Sequence, residues 1–534
     1  MPEHSPDRVT GSMSAEDRAA ARIESVRLIV GLEIHVELRT RSKMFTAAPN
    51  PAHPDHAGAT PNTLIDPVVL ALPGALPVVN REAVELSMRV GLALGCKIAE
   101  LTKWDRKGYQ YPDLPKGYQI SQYDMPLCFD GAVDVPAVDD AGEPDWLGET
   151  ARIGIVRAHL EEDAGKLMHD APGGGEIDFS IVDLNRAGTP LLEIVTAPDF
   201  TDADQAVVFC KMLRAICRHV GATEGVMQQG HMRFEPNINC ELTLDTGRTV
   251  RTPIVEVKNL NSFRAVKGAI EHELREQPGR WRDDGREMGP GAKSTRGWDD
   301  ARAVTLPQRD KEDSDDYRYF PDPDLPTLRI DSAWREKAWS AVGELPATRT
   351  RRYIDKLGLS PAEAAQLTDE RALGDLFDGA AQKVTVSGVA APAAAKAVSN
   401  LLLQHGARIA NETNTPIHDV GIDAAALAAI ASLRETGKLS SARAGDLFEK
   451  LCDPAYRGRD AEAVAEYEGW LTVSDTGQLS AWCDEVIDAN AKIVDQIKGG
   501  KHQAVGRLIG EVMKKSGGSA DAAAVRKMLL EKIG

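Results

Sequence analysis

Apolar and polar residues alternate strictly through Val30-Gly-Leu32-Glu33-Ile34-His35-Val36-Glu37-Leu38. That is the period of a β-strand with one buried face. Leu32, Ile34, Val36 and Leu38 take that face. Glu33, His35 and Glu37 share the other, with next-but-one side chains roughly 6.5–7 Å apart. Strand-like alternation returns at 153–160 and 250–258. Helical periodicity marks 81–95 and 202–220, the latter entered through Thr201 and Asp202 as caps. Pro/Gly-rich stretches at 47–63 and 171–176 predict loops, and the polar segment 278–316 predicts a long surface loop. Beyond about residue 330 strand signals vanish, and capped amphipathic helices follow one another, as from Ser360-Pro361 and from Asp423. The break at Asn411–Pro416 marks the expected boundary between two helical units. The expected fold class is α+β: a mixed or antiparallel sheet domain over 26–326, then all-α domains over 327–420 and 421–534.

At 534 residues the chain is too long for one core. No apolar run approaches the ~20 residues that span a bilayer, so no membrane association is expected. Residues 1–25 have no apolar h-region and read as a disordered polar extension, not a secretory signal. Seven scattered cysteines without a Cys-x-x-Cys pair fit a reduced, cytoplasmic protein. A net charge of −18 excludes non-specific coating of nucleic acid. The charge is uneven, however: from Lys492 onward nine Lys/Arg face four Asp/Glu, directly after an acidic stretch at 461–490 that has neither Lys nor Arg. Lys498, Lys501, Arg507, Lys514 and Lys515 are the candidate RNA contacts, a solvated helix face being the alternative.

Three further segments offer ligands to the polar face of the first strand. They are Arg157-Ala-His159-Leu-Glu161-Glu162-Asp163, Asp183 to Val195 with Glu193 in an apolar run, and Ile254-Val-Glu256-Val-Lys258-Asn259. An unpaired carboxylate in an apolar run is costly. Three separate strands each presenting a Glu therefore point to a hard divalent cation such as Mg²⁺, which takes oxygen ligands beside substrate phosphates. Unrelated Glu residues on sheet edges remain the competing reading. Two groups rich in tyrosine and cations, 104–122 and 314–324, suit phosphate and base-stacking contacts, or equally loop packing. The segment Gly291-Ala-Lys293-Ser-Thr295 lacks the Gly-Lys adjacency and preceding strand of a phosphate loop and is rejected as one.

The motifs GLEIHVEL, LPGALPVVN, DRKGYQYPDLPKGYQIS, HLEEDAGK, DLNRAGTPLLEIV, EVKNLNSF and DDYRYFPDPDLP run in order from residue 30 to 326. Together they resemble the GatB family, the B component of the tRNA-dependent amidotransferase GatCAB. The resemblance implies a cradle domain holding a kinase and transamidase site, a helical domain, and a YqeY-like tail that contacts tRNA. It implies binding of Glu-tRNA(Gln) or Asp-tRNA(Asn), Mg²⁺-dependent transfer of the ATP γ-phosphate to the side-chain carboxylate, and displacement of that phosphate by ammonia. In the implied heterotrimer the amidase GatA supplies the ammonia, and GatC ties GatA and GatB together. The class is a carbon–nitrogen ligase.

The family's metal positions fall on Glu33, His35, Glu162, Glu193 and Glu256, with Glu33, His35 and Glu162 as the catalytic set. Where the family motif reads RCDANI, this chain has Arg233-Phe-Glu235-Pro-Asn237-Ile, so Glu235 and Asn237 are further candidates. Arg106, Lys107, Tyr109, Lys116, Lys166, Arg186, Lys258, Asn259 and Arg318 are the candidates for ATP and substrate. The Cys pairs that hold zinc in many relatives are missing before LPG, so no structural zinc is expected. His53 and His56 in that stretch read as loop residues. A stand-alone Mg²⁺-dependent carboxylate kinase or ligase and a non-catalytic tRNA-binding scaffold are the rival readings.

Overall fold

The computed structural model describes residues 13–170, 174–310, 317–472, 476–498, 502–517 and 520–534. The chain folds as two compact units, the first ending at Pro346 and the second running Ala347–Gly534.

The first unit is built on a sheet of thirteen strands among the described residues. Its main members are β1 (Ile23–Glu37), β2 (Asp105–Gly108), β3 (Tyr118–Ser121), β4 (Cys128–Pro136), β5 (Thr150–Glu162), β6 (Pro190–Thr196), β7 (Met232–Leu244), β8 (Val255–Lys258), β9 (Ser294–Asp299) and β10 (Val304–Asp310). The order across the sheet is β10-β9-β8-β7-β1-β6-β5-β3-β2, with β4 also on β5. Neighbours are antiparallel except β8 and β9, which run parallel. β1 is central because it is apolar enough to be covered: Leu32, Ile34 and Val36 are fully buried. The register places Phe234, Ile34, Ile194 and Ala158 in one row across four strands. Helices α1 (Arg81–Ala93), α2 (Ala203–His219) and α3 (Phe263–Asp284) pack on the sheet or on each other. The side chains of Asn80, Asp202 and Ser262 each accept from first-turn N–H groups of these helices, satisfying donors that would otherwise be orphaned.

The long loop expected over 278–316 is largely regular structure across its described part, 278–310, residues 311–316 lying outside the described set. α3 runs through Pro278 to Asp284, and β9 and β10 form a hairpin with Thr295 and Trp298 buried. Charged residues on a sheet's solvent side masked the alternation there. The extension expected over 1–25 contains a Ser14-capped helix at Ala15–Ala20, and β1 begins at Ile23; residues 1–12 lie outside the described set.

The second unit is helical. One core runs from Tyr353 to Ala465 and another from Leu479 to Ile533. The expected division at 420–421 falls inside the first of these, because Val420, Ile422 and Leu427 pack with Phe377 and Phe448. Asn414 does turn left-handed (φ 53°) after the helix Ala407–Thr413, but the chain re-enters the same core. Among the described residues no helix is long and apolar enough to cross a membrane.

Candidate metal and nucleotide site

Antiparallel register assembles the polar face of the sheet. One row reads Arg233, His35, Glu193, His159 across β7, β1, β6 and β5. The next reads Glu235, Glu33, Val195, Arg157. His35 Nε2 lies 3.5 Å from Glu193, 3.9 Å from Glu33 and 4.0 Å from Glu161. His159 Nε2 lies 3.7 Å from Glu193 and 4.0 Å from Glu161. Two triads bring ligand atoms within 4.8 Å of one another: Glu33, His35, Glu235 and His35, Glu161, Glu193. His35 belongs to both.

This crowding distorts protonation. Burial alone would lower the His35 pKa, but the Glu193 hydrogen bond and the Glu235 and Glu193 charges outweigh it and raise it to about 9. Burial, then the Glu193 charge, lifts Glu161 to about 7. Burial would also lift Glu193, yet His159 and His35 hold it well below the usual carboxylate range. His159 is pushed down by burial to about 4 and is neutral at pH 7. The donors fit a hard divalent cation: carboxylates dominate, an imidazole is shared, and His35 Nδ1 is buried without a hydrogen-bond partner among the described residues.

Not every expected ligand arrives there. Glu162 pairs with Pro190 and so points to the other side of the sheet from Glu161, which flanks Leu191. It accepts from Lys116 Nζ and, at 3.0 Å, from the Ile120 N–H. Lys116 and Glu162 line a small pocket with Phe45, Thr46 and Gly188. Two adjacent glutamates on a period-two strand cannot share a face, and the one that joins His35 is Glu161. Glu256 lies opposite Asn237, one row beyond Glu235. Lys258 Nζ bridges the two carboxylates, 2.5 Å from Glu235 and 2.9 Å from Glu256. Glu256 is therefore outside both triads.

The substrate candidates divide similarly. Lys107 lines the cleft over the triads, a space of about 540 Å³ that also takes in Tyr123, Arg157, Tyr317 and Tyr319. Its Nζ lies 4.9 Å from the Tyr317 ring and 5.8 Å from the Tyr109 ring. Tyr109 Oη donates to Gln119 at 2.9 Å. Arg106 faces away, bonded to Asp322 (2.7 Å) and Asp324 (3.1 Å), and so ties the two tyrosine-rich segments together. Arg186 donates to the Ala164 and Gly165 carbonyls. Lys166 is exposed on a separate two-stranded ribbon. Asn259 (φ 66°) and Arg318 (φ 47°) are exposed left-handed turn residues. His53 Nδ1 accepts the Asp55 N–H, a turn-capping role.

In the second unit Lys498, Arg507, Lys514 and Lys515 are exposed, Lys515 pairing with Glu485; Lys501 lies outside the described residues. The sequence reading named Arg157, His159 and Glu161 within a ligand-bearing segment but gave the metal role to Glu162; the signal it passed over is that residues 157, 159 and 161 alternate onto one face of the strand. It also missed Gly291 and Lys293, which line the cleft although their segment is no phosphate loop.

The domain that carries this buried carboxylate–imidazole cluster is of the GatB/GatE catalytic-domain class. The sequence matches that domain over residues 28–336 and the GatB domain over 384–533. The chain is 42% identical over 522 residues to the B subunit of the aspartyl/glutamyl-tRNA(Asn/Gln) amidotransferase of Rhodopirellula baltica, covering 98% of this chain and 99% of that one. It is 38% identical to that of Carboxydothermus hydrogenoformans over 95% of this chain and 98% of that one, and 40% identical to that of Listeria innocua over the same shares. The chain belongs to the GatB family.

Proposed function

We propose that this chain is the tRNA-amidating component of a glutamine-dependent carbon–nitrogen ligase, acting on Glu-tRNA(Gln), Asp-tRNA(Asn) or both in the cytoplasm. The observation that carries the reading is the pair of carboxylate triads sharing His35, three of whose acids, Glu33, Glu161 and Glu193, line one cleft with Lys107 and Arg157. A side-chain carboxylate oxygen of the esterified amino acid attacks the γ-phosphorus of ATP, and ADP leaves. Ammonia then attacks the acyl carbon, inorganic phosphate departs with the acyl C–O bond pair, and the nitrogen loses a proton.

Glu33, Glu161, Glu193, Glu235 and His35 would hold Mg²⁺. When bound, it neutralises charge on the transferring phosphoryl group. Lys107 and Arg157 face the same space and balance phosphate charge directly, a positioning role that suits phosphoryl transfer. Glu256 and Lys258 brace Glu235 from the neighbouring strand. The amidase GatA supplies the ammonia and GatC holds it to this chain, while the basic helices after residue 476 meet the tRNA.

The test is to co-express the chain with GatA and GatC and assay both mischarged tRNAs with ATP, Mg²⁺ and glutamine. Amide formation that needs all of them supports the reading. ATP turnover by the chain without tRNA would instead mark a stand-alone carboxylate kinase. Amidation undiminished in Glu33→Gln or His35→Ala would mark a scaffold.

A further inference from the structure

Two tyrosines have no place in the chemistry above. Tyr123 and Tyr319 stack face to face, centroids 4.2 Å apart and planes within 10°, and both line the cleft. The pair is not core packing, since Tyr123 leaves 49% of its surface exposed. It is nevertheless rigidly founded, because both rings hang from one residue of the sheet edge. Asp105, itself buried, accepts the Tyr123 N–H at 3.3 Å through its carboxylate. Its backbone pairs with Pro321, two residues beyond Tyr319. Lys103 holds that carboxylate at 2.6 Å. An exposed π-face fixed in this way beside Lys107 has the form of a nucleobase platform with a phosphate contact next to it.

We infer that Tyr123 and Tyr319 form the stacking platform for an adenine ring. The inference rests on the proposed function, which brings two adenines to the cleft: that of ATP and that of the 3′-terminal adenosine of the tRNA. They share their chemistry, and the experiment separates them.

In the assembled amidotransferase, KM for ATP and KM for mischarged tRNA are measured for the parent, Tyr123→Ala, Tyr319→Ala and Tyr123→Phe. Losing one stacked ring should raise one KM about tenfold with kcat nearly unchanged, and Phe should retain the parent value. A rise for ATP alone places the base of ATP on the platform; a rise for tRNA alone places the terminal adenosine there. In parallel, 2-aminopurine replaces adenine either in ATP or at the tRNA 3′ end, and stacking quenches its fluorescence in the parent complex. Neither KM moving, Phe being as damaging as Ala, or no quenching with either probe would overturn the inference. A parent complex unable to amidate would overturn the proposed function instead.

Discussion

At the scale of single residues, Glu161 and Glu162 carry the sharpest contrast. They are adjacent in sequence, yet one meets His35 and the other meets Lys116. Glu161→Gln should cut tRNA-dependent ATP turnover by 10²-fold or more, on the order of what one electrostatic group contributes. Glu162→Gln should leave ATP turnover within about threefold, because its carboxylate lies on the other side of the sheet from the His35 cluster; initial-rate assays of ADP release distinguish the two. Glu273 shows how a buried charge serves structure rather than chemistry. It is fully buried on α3 and binds Arg280, Arg296, Gln277 and Thr305. Glu273→Ala strands two arginines and should cost ~3 kcal/mol of unfolding free energy, read by urea denaturation.

At the scale of elements, the triads are a property of register across four strands, and their protonation is collective. A cation bound as proposed would have to displace the protons that Glu161 (pKa about 7) and His35 (about 9) retain. Mn²⁺ affinity, followed by titration calorimetry, should therefore rise from pH 6 to pH 9 with net proton release. The sign for stability follows from the same shifts. Both groups have raised pKa values in the fold, so their contribution is full below their unfolded values and is lost as pH rises through about 7 and about 9. Glu193, held low, works in the opposite direction, but only in acid. Metal-free protein should lose Tm between pH 6 and 9, and divalent cation should restore it.

How much of this could be read from sequence depended on pattern strength. β1 was legible because Leu32, Ile34 and Val36 alternate without interruption. Glu193 was legible because a carboxylate in an apolar run needs a partner. The run Glu161-Glu162-Asp163 was ambiguous, since only pairing with β6 tells which acid faces His35. Glu256 looked equivalent to Glu193 in sequence, and only its register opposite Asn237 sets it one row away. β9 and β10 were hidden by their charged residues, and Pro278 disguised the length of α3.

At the scale of the whole molecule, the helical unit divides differently from its sequence punctuation. Pro416 and Asn414 mark a turn within one core, whereas the second core starts near Leu479. A chain cut after Thr472 keeps the first helical core whole. It should melt cooperatively while losing tRNA affinity by about tenfold or more in filter binding. A chain cut before Ala424 loses Leu427, Ile430 and Phe448 from that core and should lose the cooperative transition of the helical unit. Unchanged tRNA binding in the first truncation would remove the terminal basic helices from the recognition surface.

The alternation of β5 has a consequence for how such a chain can vary over evolution. Because Glu161 and Glu162 serve opposite faces of a single sheet, point substitutions near them trade one function at a time. Inserting or deleting a single residue between Ile155 and Glu161 would instead swap the faces of the two acids, turning the Lys116 partner toward the cleft and the His35 partner away from it. β5 should therefore tolerate drift in composition but not in length, and length changes should accumulate in the turns that flank it.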